Sequence, residues 1–210
     1  MNSKIIAQGA EAKIILSNNF VIKDRIKKSY RLPILDEKIR KQRTRSETKL
    51  LEKASKIINA PLPQEVMGII NQEGKSYIIK MPFLQGKKLS EFLGSFSLEK
   101  QKQICVMIGK DISKLHDADI IHGDLTTSNL ILVESKVYFI DFGLGYISKK
   151  TEDKAVDLHL LKQALEAKHF KNWETLWKEI EKGYKSSKNS KQVLERLKVV
   201  EKRGRYKDKY

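Results

Sequence analysis

Cysteine is almost absent from this chain, one residue in 210, which excludes a disulfide and a cluster of thiolate metal ligands. Cys105 falls inside the helical apolar spacing of Ile104, Ile108, Ile112 and Leu115, so the spacing predicts a buried thiol rather than a nucleophile. No apolar run approaches the roughly 20 residues that span a bilayer, and the opening MNSKIIAQGAEAK has no signal-peptide core. The expectation is a cytoplasmic protein with no membrane partner. Acid is also scarce: 26 Asp and Glu against 42 Lys and Arg leave a formal charge of +16, which favours polyanionic partners and says nothing of fold. Glycine is sparse too, 11 residues, so its few placements beside polar motifs carry weight.

What is present reads as α+β. Short β-like runs lie at Ile5–Ile6, Ile14–Leu16 and Phe20–Ile22, with Asn18 and Asn19 as a tight turn. A long helix follows from Leu35 to Ile58, with Ile39, Leu50, Leu51, Ala54 and Ile57 on its apolar side and Pro61 and Pro63 as its stop. YIIKMPF at 77–83 reads as a strand. This order, three strands, a helix and a strand, predicts a small lobe of one sheet and one helix over residues 1–84. Residues 85–200 read as a mostly helical lobe. It carries a helix at 98–117, a hairpin of NLILV (129–133) and VYFI (137–140) joined by ESK, and helical patterns at Ala155–Leu165, Phe170–Tyr184 and Val193–Leu197. Trp173 and Trp177 fit core positions. Residues 201–210, EKRGRYKDKY, lack apolar periodicity and are expected to form a flexible basic tail.

The chemistry concentrates around the hairpin. Asn129 and Asp141 flank it and offer the oxygen donors that magnesium uses together with substrate phosphates. Asp124, upstream in its own loop, is placed to orient or deprotonate an incoming hydroxyl or water. Gly143 suggests a sharp turn after Asp141. Lys23, ending the run FVIK, suits a cleft-facing strand cation. Glu47 precedes Leu50, Leu51 and Ala54 by three, four and seven residues, which sets it beside the buried helix face. An inward glutamate requires a cation, and Lys23 is the natural one.

Lys23, Glu47, HGDLTTSN at 122–129 and DFGLG at 141–145 together resemble the protein-kinase signature. VIKDRIKKSYRLPILDEKIRKQRTRSETKLLEKA at 21–54, with HGDLTTSN and EDKAVDLHLL at 152–161, is similar to the archaeal p53-related protein kinase family, the small atypical kinase and ATPase of the KEOPS complex. That resemblance implies a small bilobal kinase-like fold using ATP and Mg2+. It implies Asp124 as the catalytic-loop aspartate, Asn129 and Asp141 as metal ligands, and Lys23 on the phosphates held by Glu47. Gly9, Ala10 and Glu11 would form an abbreviated phosphate loop, and Asp157 would support the catalytic loop. If Met81 guards the back of the pocket, adenine meets the Pro82 carbonyl and the Leu84 amide, where proline lacks only a donor that is not used.

The chain departs from ordinary protein kinases at several points. AQGAEAK has one glycine where the usual loop has three, HGD replaces HRD, and Thr126 stands where a lysine is usual. Only YISKKT separates Gly145 from Glu152, so no extended activation segment is available to hold a peptide. The resemblance supplies a partner instead: an actin-like-fold threonylcarbamoyl-transferase subunit with the other KEOPS subunits, and tRNA as substrate of the complex. Twelve Lys and Arg against five Asp and Glu from Lys23 to Lys53, and seven against two from Arg196 to Tyr210, mark the long helix and the tail as candidate tRNA contacts. Two other readings compete: a small-molecule phosphotransferase of the aminoglycoside or choline kinase kind, which also has HGD, and an inactive RNA-binding scaffold.

Overall fold

A computed structural model describes residues 3–71 and 74–204. The chain starts with β1 (Ser3–Gln8), β2 (Ala12–Ser17) and β3 (Phe20–Arg25), continues through α1 (Pro33–Ala54), and returns with β4 (Glu65–Asn71) and β5 (Gly74–Pro82). The five strands form one antiparallel sheet in the order β1-β2-β3-β5-β4. Asn18 and Asn19 close the β2–β3 hairpin with φ of 47° and 62°. Two successive left-handed residues match the twist of the strands, and asparagine tolerates that conformation. The resulting register sets Val21 opposite Met81 and Lys23 opposite Ile79.

β4 is absent from the sequence-based reading, which counts four strands in this lobe. α1 also differs from it. The helix begins at Pro33, a first-turn residue whose missing N–H costs nothing there, and ends at Ala54, before the turn at Ser55–Ile58. Before Leu50 its buried positions are Asp36, Arg40, Thr44, Glu47 and Thr48 rather than apolar residues, and Ile39 is only half-buried. An ion pair and a hydrogen bond stand in for hydrocarbon: Arg40 Nε donates to Asp36 Oδ2 at 2.7 Å, and the Tyr77 hydroxyl donates to Glu37 Oε1 at 2.7 Å.

The larger part holds β6 (Lys87–Lys88), α2 (Leu89–Phe92), α3 (Leu98–Asp117), β7 (Ile120–Ile121), β8 (Leu130–Val133), β9 (Lys136–Phe139), β10 (Tyr146–Ile147), α4 (Thr151–Lys168), α5 (Trp173–Tyr184) and α6 (Ser190–Gly204). A 3-10 turn at Thr127–Asn129 leads into the β8–β9 hairpin, and β10 pairs with β7. Leu50, Leu51 and Ala54 from the end of α1 belong to the same buried cluster as Leu89, Ile112 and Phe142. The helix that carries Glu47 is therefore rooted in the core of the larger lobe. Cys105 is fully buried, and that burial, with Glu179 adding to it, pushes its thiol up to about 12. Residues 201–204, expected as the start of a loose tail, instead complete α6, and Arg203 Nη1 pairs with Glu152 Oε1 at 2.6 Å. Residues 205–210, with the remaining tail positions, lie outside the described residues.

α3 and α5 cross at two reciprocal glycines. A Cβ on Gly109 would stand 2.1 Å from the Ile180 carbonyl oxygen, and one on Gly183 would stand 2.2 Å from that of Val106. Exchanging glycine for alanine inside an exposed helix usually stabilises by about 1 kcal/mol. Here the backbones must separate, so Gly109→Ala is expected to destabilise by about 1–3 kcal/mol in urea unfolding. Gly94→Ala, where a Cβ meets open space, serves as the control. A Gly109→Ala protein as stable as the parent would show that the crossing is looser than described.

Candidate active site

Strand alternation projects Lys23 and Arg25 from the same face of β3, toward α1. Both end on Glu47, which is 1% exposed: Lys23 Nζ donates to Oε1 at 2.7 Å and Arg25 Nη2 to Oε2 at 2.6 Å. Lys23 Nζ also reaches Asp141 Oδ1 at 2.6 Å. The four groups form a neutral chain, Arg25–Glu47–Lys23–Asp141, which makes the burial of the first three tolerable while the Asp141 side chain stays 45% exposed. Burial pushes the Asp141 carboxyl up, but the Lys23 ammonium and the Gly143 N–H outweigh it and hold the group below its ordinary range. Gly143 differs from expectation. The left-handed residue is Asp141, φ 63°, while Gly143 supplies space, since a Cβ there would meet Asp141 Oδ1 at 2.9 Å.

The loop bearing Asp124 is held from below by Asp157 of α4, which is 2% exposed. The N–H groups of His122 and Gly123 donate to Asp157 Oδ2 and Oδ1 at 2.8 and 2.9 Å, and His116 Nε2 lies 3.3 Å from Oδ2. Gly123 sits at φ 79°, where a side chain would be strained and its Cβ would stand 2.2 Å from the Leu144 carbonyl oxygen. His122 Nε2 is 3.0 Å from the Ile140 carbonyl, and Asp124 N–H donates to Nδ1 at 3.3 Å. One histidine thus ties the loop to the strand that delivers Asp141, as the Nε2–H tautomer. Asn129 Nδ2 donates to both the backbone oxygen and Oδ2 of Asp124, each at 2.9 Å. Those two bonds use up the amide hydrogens and leave Asn129 Oδ1 as an acceptor.

A cavity of about 320 Å³ opens beside these groups, lined by Lys23, Glu47, Asn129 and Asp141 and by apolar walls that include Ile14, Val21, Ile131 and Ile140. Met81, Pro82 and Leu84 also line it. Asp124 does not line it but reaches its edge through Asn129. Gly9, Ala10 and Glu11 are not brought to it. They are exposed in the β1–β2 turn, where Glu11 pairs with Arg43 of α1 at 2.5 Å and Lys28 donates to the Ala10 carbonyl. Ile6 and Ala7, before the turn, take the lining positions. Arg25 is the participant that motif reading missed; its signal is its place two residues after Lys23. Among the described residues no group of three His, Cys, Asp or Glu side chains gathers as a metal cluster. Two oxygen donors, Asn129 Oδ1 and Asp141, fit a magnesium ion completed by phosphates and water.

Burial raises the Asp157 carboxyl, and the His116 and His122 bonds more than reverse this, leaving it below its ordinary 3.8. A depressed carboxylate contributes stability that is present above that value and lost as pH falls through the lowered one. Asp157→Asn would face two N–H donors with an amide, and a loss of about 3 kcal/mol at neutral pH is expected from chemical denaturation. The gap from the parent should narrow below about pH 4. A gap that stays constant through acid would show that ionised Asp157 is not what holds the loop.

The sequence matches the protein kinase domain family over residues 17–187. It is 41% identical to the KEOPS complex subunit Bud32 of Pyrococcus abyssi, over 98% of this chain and 97% of that protein. It is 36% identical to a probable serine/threonine-protein kinase, the BUD32 homolog of Archaeoglobus fulgidus, over 94% of each. A probable bifunctional tRNA threonylcarbamoyladenosine biosynthesis protein of Methanobrevibacter smithii is 40% identical over 96% of this chain, which spans 36% of that longer protein. With near full-length matches to two Bud32 proteins, a match to the protein kinase domain, and the lysine–glutamate pair and the HGD and DFG sequences in place, the chain belongs to the Bud32 family of protein kinases.

Proposed function

We propose that the protein is an atypical serine/threonine kinase and magnesium-dependent ATPase that works as a KEOPS subunit in forming N6-threonylcarbamoyladenosine at adenosine 37 of tRNA. The observation that carries the reading is the convergence of Lys23, Glu47, Asn129 and Asp141 on one wall of an apolar cavity of purine size. Adenine enters between Ile14 and Ile131 and meets the backbone of Pro82 and Leu84, beside Met81. Lys23 takes the phosphates, with Glu47 holding its ammonium. Magnesium, bound by Asn129 and Asp141, supplies charge neutralisation at the phosphates. Asp124, fixed through Asn129, turns its free carboxylate oxygen to the incoming hydroxyl or water and receives its proton. The β1–β2 turn has no glycine cradle in the cavity, so phosphate binding rests on side chains more than on loop amides.

The substrate side supports a subunit rather than a free-standing kinase. β10 is zipped to β7, Ser148 N–H donates to the Asp119 carbonyl at 2.8 Å, and α4 starts at Thr151. This leaves a short, pinned segment with Leu144, Tyr146 and Ile147 exposed, suited to docking on an actin-like partner. α5 and α6 pack on α3 and α4 rather than building the substrate subdomain of a small-molecule phosphotransferase. Lys38, Lys41, Arg45 and Lys49 share one groove along α1, a surface suited to RNA phosphates. No helix among the described residues is long and apolar enough to cross a membrane.

The test is ATP turnover with and without magnesium, and threonylcarbamoyladenosine formation in the assembly reconstituted with the actin-like subunit and tRNA. Asp141→Ala should keep the circular dichroism of the parent and lose turnover by about 100-fold or more. Undiminished, magnesium-stimulated ATP consumption in that variant would refute the assignment.

A further inference from the structure

Glu47 is held from two sides, by Lys23 and by Arg25. Lys23 is asked to serve Glu47, Asp141 and, during turnover, the nucleotide phosphates. Were it the only donor to Glu47, each exchange of partners would leave a carboxylate that is 1% exposed with an unmet oxygen, at a cost of about 1–3 kcal/mol. Arg25 removes this conflict. It is 5% exposed, and its Nη2 occupies Oε2, the oxygen that Lys23 does not use. Its charge is fixed at any working pH. The pair also abuts the turn after Asp141: a Cβ on Gly143 would lie 3.5 Å from both Arg25 Nη2 and Glu47 Oε2. At the other end of the helix, Leu50, Leu51 and Ala54 are embedded in the core.

We infer that Arg25 is a positioning residue: it clamps Glu47 to the sheet independently of Lys23, so that Lys23 can exchange the Asp141 carboxylate for phosphate oxygens while its anchor stays still. The inference rests on the cavity being the nucleotide site. With Arg25 in place, Glu47 presents one oxygen in a fixed direction and Lys23 keeps its remaining hydrogens for other acceptors. Without it, the carboxylate is free to turn and take Lys23 with both oxygens, drawing the ammonium away from the phosphates. The adenine contacts at Met81 to Leu84 are untouched by this change, so the loss falls on turnover more than on binding.

The experiment measures kcat and KM for ATP in the full chain for Arg25→Met, Arg25→Lys, Glu47→Gln and the Arg25→Met/Glu47→Gln double variant. Arg25→Gln replaces Arg25→Met should the latter not fold. Circular dichroism at the assay temperature confirms folding. The parent's turnover and its loss in Asp141→Ala check the underlying site assignment separately. Arg25→Met is expected to lower kcat about tenfold while KM for ATP moves less than about threefold, with Arg25→Lys recovering most of the loss. In the Glu47→Gln background, Arg25→Met should change kcat by less than about twofold, because its only route to the phosphates has gone. A folded Arg25→Met with the parent's kcat would overturn the inference. So would losses that multiply in the double variant, since a general weakening of the lobe adds to any other defect.

Discussion

A glutamate sealed from water between two cations is the constraint on which the rest of this molecule is built. Glu47 is tolerable at 1% exposure only because Lys23 and Arg25 each occupy one of its oxygens. Removing either partner leaves one of those buried oxygens without its donor, at a cost of about 1–3 kcal/mol. β3 must therefore present both cations on one face, α1 must lie across that face, and the turn at Asp141 must come within reach of the lysine. The polar first half of α1 follows the same logic, with Asp36 and Arg40 pairing where a more ordinary helix would bury hydrocarbon.

The catalytic loop is organised by a second buried acid. Asp157 collects the N–H groups of His122 and Gly123, and His122 in turn joins the loop to the strand before Asp141. The two clusters meet at Asp141, Asn129 and Asp124, so the candidate reacting groups are supported from both sides of the cavity. Between them the segment after Asp141 is short and paired to β7. In this kinase the site is assembled by internal charge pairing and packing, and the short segment leaves Leu144, Tyr146 and Ile147 exposed.

Much of this was legible in the sequence because motif chemistry is local. The asparagine pair at 18–19, the hairpin, Lys23, Glu47, Asn129, Asp141 and the loop at 122–129 all declare themselves through spacing and residue type. β4 did not, because EVMGIIN follows a proline-rich turn and is interrupted by Gly68, so neither period stands out. On the buried stripe of α1, Leu50, Leu51, Ala54 and Glu47 were legible, whereas Asp36 and Arg40 were not, because a hydrophobicity pattern is blind to charges that neutralise each other. Gly9 drew attention as a glycine in a loop, yet nothing lies within 4 Å of the place its Cβ would take. Arg25 was overlooked for the opposite reason: its place two residues after Lys23 sets it on the same strand face, but one arginine among many in a basic chain stands out only once its partner is located in space. Residues 201–204 continue a helix through a stretch without apolar periodicity because Arg203 and Arg196 both bind Glu152 at the start of α4.

The central claim is that the glutamate anchor is set before nucleotide arrives and does not move when it binds. The most direct measurement is a pair of crystal structures, one free and one with a non-hydrolysable ATP analogue and magnesium. The account predicts that Lys23–Glu47 and Arg25–Glu47 stay near 2.7 and 2.6 Å in both, while the 2.6 Å Lys23–Asp141 contact opens as Asp141 turns to the metal. A free structure with Glu47 swung away from β3, drawn in only by the nucleotide, would contradict it.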